Sequence, residues 1–357
     1  MKFSYSTPTG DKFSIEPTVE ALSYLLGLLP WTREEFLDYS LSEVAKHYDI
    51  PWVRISTPKG EISSPYLLLH DYRKMPQPLN WGTAKISTDF QFPAQLIPHR
   101  SKMVDIFQKK GLLSKGNSTC PRVARFQMAG PVPHFELQRA SYFDQVGTNL
   151  TIDYKLSQPI EINGRRCATV REWDVSQAQV KARGLPSFDQ SQLANTIGVS
   201  IGITARTRNG RKVTIKRKRS SKVAVYANTW STPFGFALAL EQDFTRDKKF
   251  PIEDLIRRDY NHEFAEELGL QFSDFTAPKP LAFCRDLLRG GKPQFFLEAK
   301  ALVPFEDLRK KLQDHTVEHK GRIKITQDSD SATRIDTRVS PEFKCLLILA
   351  SEDANGA

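Results

Sequence analysis

The sequence predicts an α+β protein of two domains, and three observations carry that prediction. A chain of 357 residues exceeds what one hydrophobic core ordinarily organises. Residues 195–204 and 212–217 run apolar or alternate with period two on either side of Asn209-Gly210, a dipeptide that favours a hairpin turn. A run with helical spacing opens at Pro251 and closes at Gly269. Proline is tolerated in a first helical turn because the N–H it lacks has no partner there, and glycine accepts the left-handed conformation after the last turn.

Taken in order, residues 1–150 are expected to form an α+β N-terminal domain. Glu16 to Leu29 reads as a helix ending before Pro30. Thr32 with Glu35 three residues on forms a capping box for a second helix over Arg33 to Tyr39, and Ser42 to Tyr48 makes a third. Ile50 to Pro98 is rich in turn residues and reads as short strands and loops. Met103 to Leu113 is expected to be helical, and Phe126–Met128 and Phe135–Arg139 to be strands. Residues 151–190, punctuated by Pro159 and Gly184-Leu-Pro, are expected to be a connector.

Residues 191–350 form the expected second domain: strand, hairpin and strand, then Trp230 and a loop at Pro233-Phe-Gly235-Phe, then the helix. Two strands at Pro280–Arg285 and Pro293–Leu302 and a helix at Pro304–Leu312 follow, and residues 351–357 read as a frayed tail. No internal repeat is present.

The net charge of +10 favours anionic partners such as nucleotides, diphosphate metabolites or nucleic acid, with plain solubility as the competing reading. Cys120, Cys167, Cys284 and Cys345 show no C-x-x-C spacing, which fits buried thiols in a reducing compartment. The first residues lack a signal-peptide pattern, and the longest apolar stretch, Ala21 to Trp31, is too short to span a bilayer. A cytoplasmic protein without a membrane segment is expected.

The most informative stretch is His262-Glu-Phe-Ala-Glu-Glu-Leu-Gly-Leu270. Glu263, Glu266 and Glu267 stand at offsets 0, 3 and 4, which share one helical face. Like charges so placed repel, and a divalent cation with oxygen ligands is the usual remedy. This turn resembles the second half of the Nudix box, R-E-U-x-E-E-x-G-U, matching eight of nine positions with Phe264 as the bulky residue. Lys218-Arg-Ser220, Trp230 and Gly235 before the helix follow that family's order, so the resemblance spans roughly residues 190–350.

The resemblance implies a Nudix-like α/β/α sandwich with a mixed sheet. It implies that Glu263, Glu266 and Glu267 bind Mg2+ or Mn2+ and are catalytic, with Gly235 at the metal loop. Three departures stand out. His262 replaces the usual Arg, Lys248 occupies the place of the box glycine, and Asp254 replaces a Glu. Gly235 serves in the glycine's stead if residues 241–250 are an inserted loop. Asp254, and Glu298 on the strand-like run Phe295–Ala299, are candidates for an extra ligand or base; an exposed strand glutamate is the competing reading for Glu298.

Arg206 to Lys222 holds nine basic residues in seventeen positions, which suits a phosphate-binding hairpin or a solvated strand edge. Arg217, Arg219, Tyr226 and Trp230 are the candidate substrate-binding residues, Arg for phosphate and the rings for a stacked base, with core packing as the other reading of Trp230.

The expected function is metal-dependent hydrolysis of a nucleoside diphosphate linked to another moiety. The alternatives are a non-catalytic nucleotide sensor and an RNA-processing or RNA-binding protein. The N-terminal domain is expected to restrict the substrate or to mediate a homodimer.

Overall fold

The computed structural model describes residues 3–6, 12–15, 44, 48, 53–57, 60–75, 79–113, 116–178, 184–219, 229–240, 244–268, 270–314 and 339–352. The helices expected at Glu16–Leu29 and Arg33–Tyr39, Tyr226, and the tail beyond residue 352 lie outside these. Val44 and Tyr48 are helical and buried, as the third expected helix requires.

In chain order the described strands begin with β1 (Phe3–Ser6), β2 (Lys12–Ile15), β3 (Val53–Thr57), β4 (Gly60–Ser64), β5 (Tyr66–Asp71) and β6 (Thr83–Asp89). Helix α1 (Ile97–Lys109), β7 (Thr119–Ala129), β8 (Val132–Ser141) and α2 (Tyr142–Val146) follow. Next come β9 (Lys155–Ile162), β10 (Arg165–Thr169) and α3 (Val170–Gln177). The remainder is β11 (Gly198–Arg206), β12 (Lys212–Ile215), β13 (Arg217–Lys218), β14 (Trp230–Ser231), β15 (Phe234–Ala237), β16 (Lys249–Pro251), α4 (Ile252–Leu268), β17 (Lys279–Asp286), β18 (Lys292–Lys300), α5 (Phe305–Asp314) and α6 (Pro341–Glu352).

Two sheets organise these elements. A six-stranded sheet runs β12-β11-β18-β17-β5, with β15 beside β11 on the same edge as β12. It is mixed, because β11 and β18 are parallel while the other pairs are antiparallel. A four-stranded sheet runs β16-β6-β8-β7. The apolar core between them draws on Ile86, Phe135 and Leu137 from the smaller sheet and on Val199, Ile201, Phe283, Phe295 and Leu297 from the larger one. Phe283 and Phe295 stand 4.7 Å apart, and Phe135 lies 5.1 Å from Phe283 in a T-shaped pair. Such pairs add about 0.5–1.5 kcal/mol each beyond the area they bury. On the other face of the large sheet, Leu281, Ala282 and Phe296 pack against Phe343, Leu346 and Leu349 of α6. Covered on both sides, β11 and β18 read as near-continuous apolar runs, as central strands do.

Strand pairing crosses the expected boundary between residues 1–150 and 191–350. β5 hydrogen-bonds β17, β6 hydrogen-bonds β16, and both halves fill one core. The strand of residues 66–71 lies inside the sheet built mainly by residues 198–300. The segment expected to connect the two is folded as well. β9 and β10 form a hairpin over Asn163 and Gly164, both with positive φ, and α3 packs Trp173 against Leu96, Leu156 and Cys167. Asn-Gly is the sequence signal for such a turn.

Most other expectations hold. The β11–β12 hairpin turns at Asn209-Gly210 with Gly210 at φ +83°, and Val213 and Ile215 are buried together. The helix expected from Met103 begins earlier, at Ile97, with Pro98 in its first turn. Pro251 ends strand β16 instead of opening α4; it sits on the sheet edge, where a missing N–H leaves no gap in the ladder. All four cysteines are buried and unbridged.

The turn between β17 and β18 is held by two glycines and a close backbone contact. Gly290 and Gly291 take φ of +66° and +81°, and Gly291 N–H donates to the Asp286 carbonyl at 2.7 Å. A Cβ on Gly291 would stand 2.5 Å from Arg285 Nη2 and 2.7 Å from Nε, whereas one on Gly210, at a similar φ, meets open space. Gly291→Ala is therefore expected to cost about 2–4 kcal/mol, and Gly210→Ala only the left-handed strain of about 1–2 kcal/mol. Urea unfolding of both variants checks this, and equal midpoints would remove the steric argument.

Candidate functional site

Helix α4 is built by its buried stripe. Ile252, Leu255, Ile256, Asp259 and Tyr260 are at most 7% exposed, while Asp254, Arg257 and Asn261 face solvent. Ile252 N–H donates to the Gly82 carbonyl at 3.0 Å, so the four-stranded sheet fixes where the helix begins. The Asp259 carboxylate accepts from Ala239 N–H at 2.6 Å, tying the middle of the helix to the chain just beyond β15. Continued at 3.6 residues per turn, the stripe through 252, 256 and 259 passes through positions 263, 266 and 267. The backbone is helical through Leu268.

Asp254 is exposed on the opposite side of α4 and is not brought to that stripe. Glu298 lies on the α6 side of β18, half-buried, where its carboxylate accepts from the Thr204 hydroxyl at 3.4 Å. Gly235, expected in a loop, lies in strand β15 opposite Ser200. A Cβ there would approach the Val199 carbonyl to 3.3 Å, so the position favours a small residue. Trp230 sits in β14 with the ammonium groups of Lys216 and Lys218 at 5.3 and 6.0 Å from its ring, and it packs beside the α6 cluster. Arg217 is buried in β13 opposite Ser231.

Arg219 differs from its neighbours, because it lines a cleft of about 180 Å³ together with Gly235. The cleft floor is the sheet face at Gly198, Ser200, Lys292 and Gln294, and its walls include Tyr142, Arg289 and Glu342. Gln294, in the amide orientation that satisfies its neighbours, accepts from Ser200 Oγ at 2.9 Å. Arg289 is held by Asp286 Oδ2 and Glu342 Oε1, both at 2.6 Å. Burial pushes the Glu342 carboxyl up, but Arg289, Arg219 and Lys292 outweigh it and hold it below the usual carboxylate range.

Lys292 is only 2% exposed, and its side chain lines the cleft. Burial, and after it the Arg289 charge, pushes it down to about 7. Sequence reading missed Lys292, Arg289 and Glu342. The only signal was Gly290-Gly-Lys292, which reads as an ordinary turn.

Among the described residues no three His, Cys, Asp or Glu side chains converge as a metal site, and the side chains of Glu263, Glu266 and Glu267 are outside that set. Three carboxylates on one helical face are a hard-oxygen donor set of the kind that suits Mg2+ or Mn2+.

No protein-family model matches the chain, and no curated relative matches it. Among solved structures the chain is similar to a Nudix hydrolase from M. smegmatis, RenU, at 16% identity and TM-score 0.29, over 45% of this chain and 88% of that one. It is also similar to DR0079 from Deinococcus radiodurans at 12% identity and TM-score 0.28, over 44% and 83%. TM-scores this low do not fix a family.

Proposed function

We propose that the chain is a metal-dependent hydrolase that cleaves the phosphoanhydride of a nucleoside diphosphate linked to another group. One observation carries this reading: α4 continues as a helix through Leu268, so Glu263, Glu266 and Glu267 share one helical face, and three like charges so placed call for a cation.

Glu263, Glu266 and Glu267 would hold the cation, which when bound neutralises diphosphate charge and acidifies a water. The chain's own contribution is positioning. Asp259 and the Gly82 contact lock α4 against both sheets, and Gly235 leaves the β15 edge open beside Arg219. Arginine at such an edge grips phosphate oxygens with paired hydrogen bonds.

The test is release of phosphate or mononucleotide from dinucleotides, nucleotide sugars and nucleoside triphosphates, with Mg2+ or Mn2+ and with a chelator. Turnover of at least one substrate that stops in chelator is the expected result. Absence of turnover on the whole panel, with a nucleotide still raising the melting temperature, would overturn hydrolysis in favour of a ligand-sensing protein. No helix among the described residues is long and apolar enough to cross a membrane.

A further inference from the structure

We propose that the cleft between β11, β15, β18 and α6 is a phosphoryl-binding subsite in which Lys292, Arg219 and Arg289 hold the anion. This subsite shares Arg219 and the β15 edge with the hydrolase reading, which it deepens, but it needs none of Glu263, Glu266 and Glu267 and is tested without metal.

The geometry is that of a site awaiting an anion. Lys292 Nζ lies directly over Gly198, where a Cβ would come within 2.6 Å of it. The ammonium is thus packed onto bare backbone, with the cleft as its open side. Burying an ammonium is costly unless an anion compensates it. Arg219 adds a guanidinium whose Nε is buried without a partner. Arg289 is oriented by two carboxylates, Asp286 and Glu342, so its position is set before any ligand arrives.

The groups that face Lys292 come from every element around it. They are Arg289 of the β17–β18 turn, Glu342 of α6, Asp286 of β17 and Cys120 of β7. Only two of these are carboxylates, and both already serve Arg289. The positive charge at the floor is left to a ligand. At about 180 Å³ the cleft is smaller than the ~300–1,000 Å³ of sites that enclose a whole small molecule. Its size suits a phosphoryl group.

Binding should be linked to protonation. With Lys292 depressed to about 7, the free protein at about pH 8 holds it mostly neutral, and an arriving dianion favours the charged form. Phosphate therefore brings a proton with it. The sign for stability follows from the same shift. The unfolded chain, with lysine at its ordinary 10.5, binds more protons than the folded chain between about 7 and 10.5. Stability of the ligand-free protein relative to Lys292→Met should rise with pH across that window.

The test uses the full chain without divalent metal, titrated calorimetrically with inorganic phosphate and with AMP in two buffers of different ionisation enthalpy. Phosphate binding with proton uptake at about pH 8 is the expected result, weakened at least about tenfold in Lys292→Met and with its proton uptake lost. Arg219→Gln should weaken binding while keeping proton uptake, and it serves if Lys292→Met does not fold. If AMP binds more tightly than phosphate and phosphate displaces it, the subsite takes the terminal phosphate of a larger ligand. If phosphate binds as well or better, it takes the free ion. No heat and no melting shift with either probe, or equal affinity in wild type and Lys292→Met, would overturn the proposal. Hydrolysis failing on the substrate panel would leave this result untouched.

Discussion

Asp153→Asn is expected to destabilise the protein by about 3–5 kcal/mol. Its partner Arg171 is fully buried. The guanidinium donates to Asp153 Oδ1 and Oδ2 at 2.6 and 2.7 Å, to the Tyr48 hydroxyl at 2.6 Å, and to the carbonyls of Leu287 and Leu288 at 2.9 and 2.8 Å. Every donor direction is used. Burial alone would lower the Arg171 value, but Asp153 and then Tyr48 hold it above the ordinary one, while burial pushes Tyr48 up to about 12. Asparagine keeps the shape and removes the carboxylate that the guanidinium grips, leaving a buried cation uncompensated.

Urea unfolding measures the loss, and a change under about 1 kcal/mol would show that water or a rearranged neighbour takes over. The paired replacement Arg171→Met with Asp153→Leu should recover part of the stability, because an ion pair removed whole leaves no orphan charge. The same variant bears on the cleft. Leu287 and Leu288 begin the turn that carries Arg289 and Lys292, so loosening their carbonyls should weaken phosphate binding in Asp153→Asn even where the protein remains folded.

How legible each element was in the sequence depends on the range over which its signal acts. Asn209-Gly210 flanked by alternating residues specified β11, its turn and β12, because a hairpin is a local structure. Asn163-Gly164 specified the β9–β10 hairpin equally well, but the prolines around it suggested a connector. The sharing of sheets was not legible. β5 pairs β17 from more than two hundred residues away, and nothing in Tyr66–Asp71 names that partner. Helix α6 was missed because Phe343–Ala350 is apolar nearly all round, without the polar face that marks an amphipathic helix. In the site, motif reading placed the glutamates on a helix and Arg219 near Gly235. Lys292 could not be found that way, since its significance lies in burial, a property of the fold.

Glu266→Gln and Glu267→Gln are each expected to lower metal-dependent turnover by roughly a hundredfold or more, the size of effect expected when about 3 kcal/mol of transition-state stabilisation is lost. Glutamine keeps the length and polarity of the side chain but carries no charge for a cation. The register of α4 makes the prediction specific. Positions 263, 266 and 267 continue the stripe of Ile252, Ile256 and Asp259, whereas Asp254 lies on the exposed side. Asp254→Asn should therefore leave turnover within about twofold, although sequence reading gave it a ligand's place.

A second readout separates ligation from folding. Without metal, removing one of three like charges on a helical face should leave the melting temperature equal or higher. With Mg2+ or Mn2+ the wild type should gain stability and the glutamine variants should gain less, because a cation that binds only the folded state stabilises it by mass action. Glutamine variants that unfold without metal would show instead that the carboxylates serve the fold. Variants that keep full turnover would remove these glutamates from the chemistry and leave the phosphoryl cleft as the functional centre of the molecule.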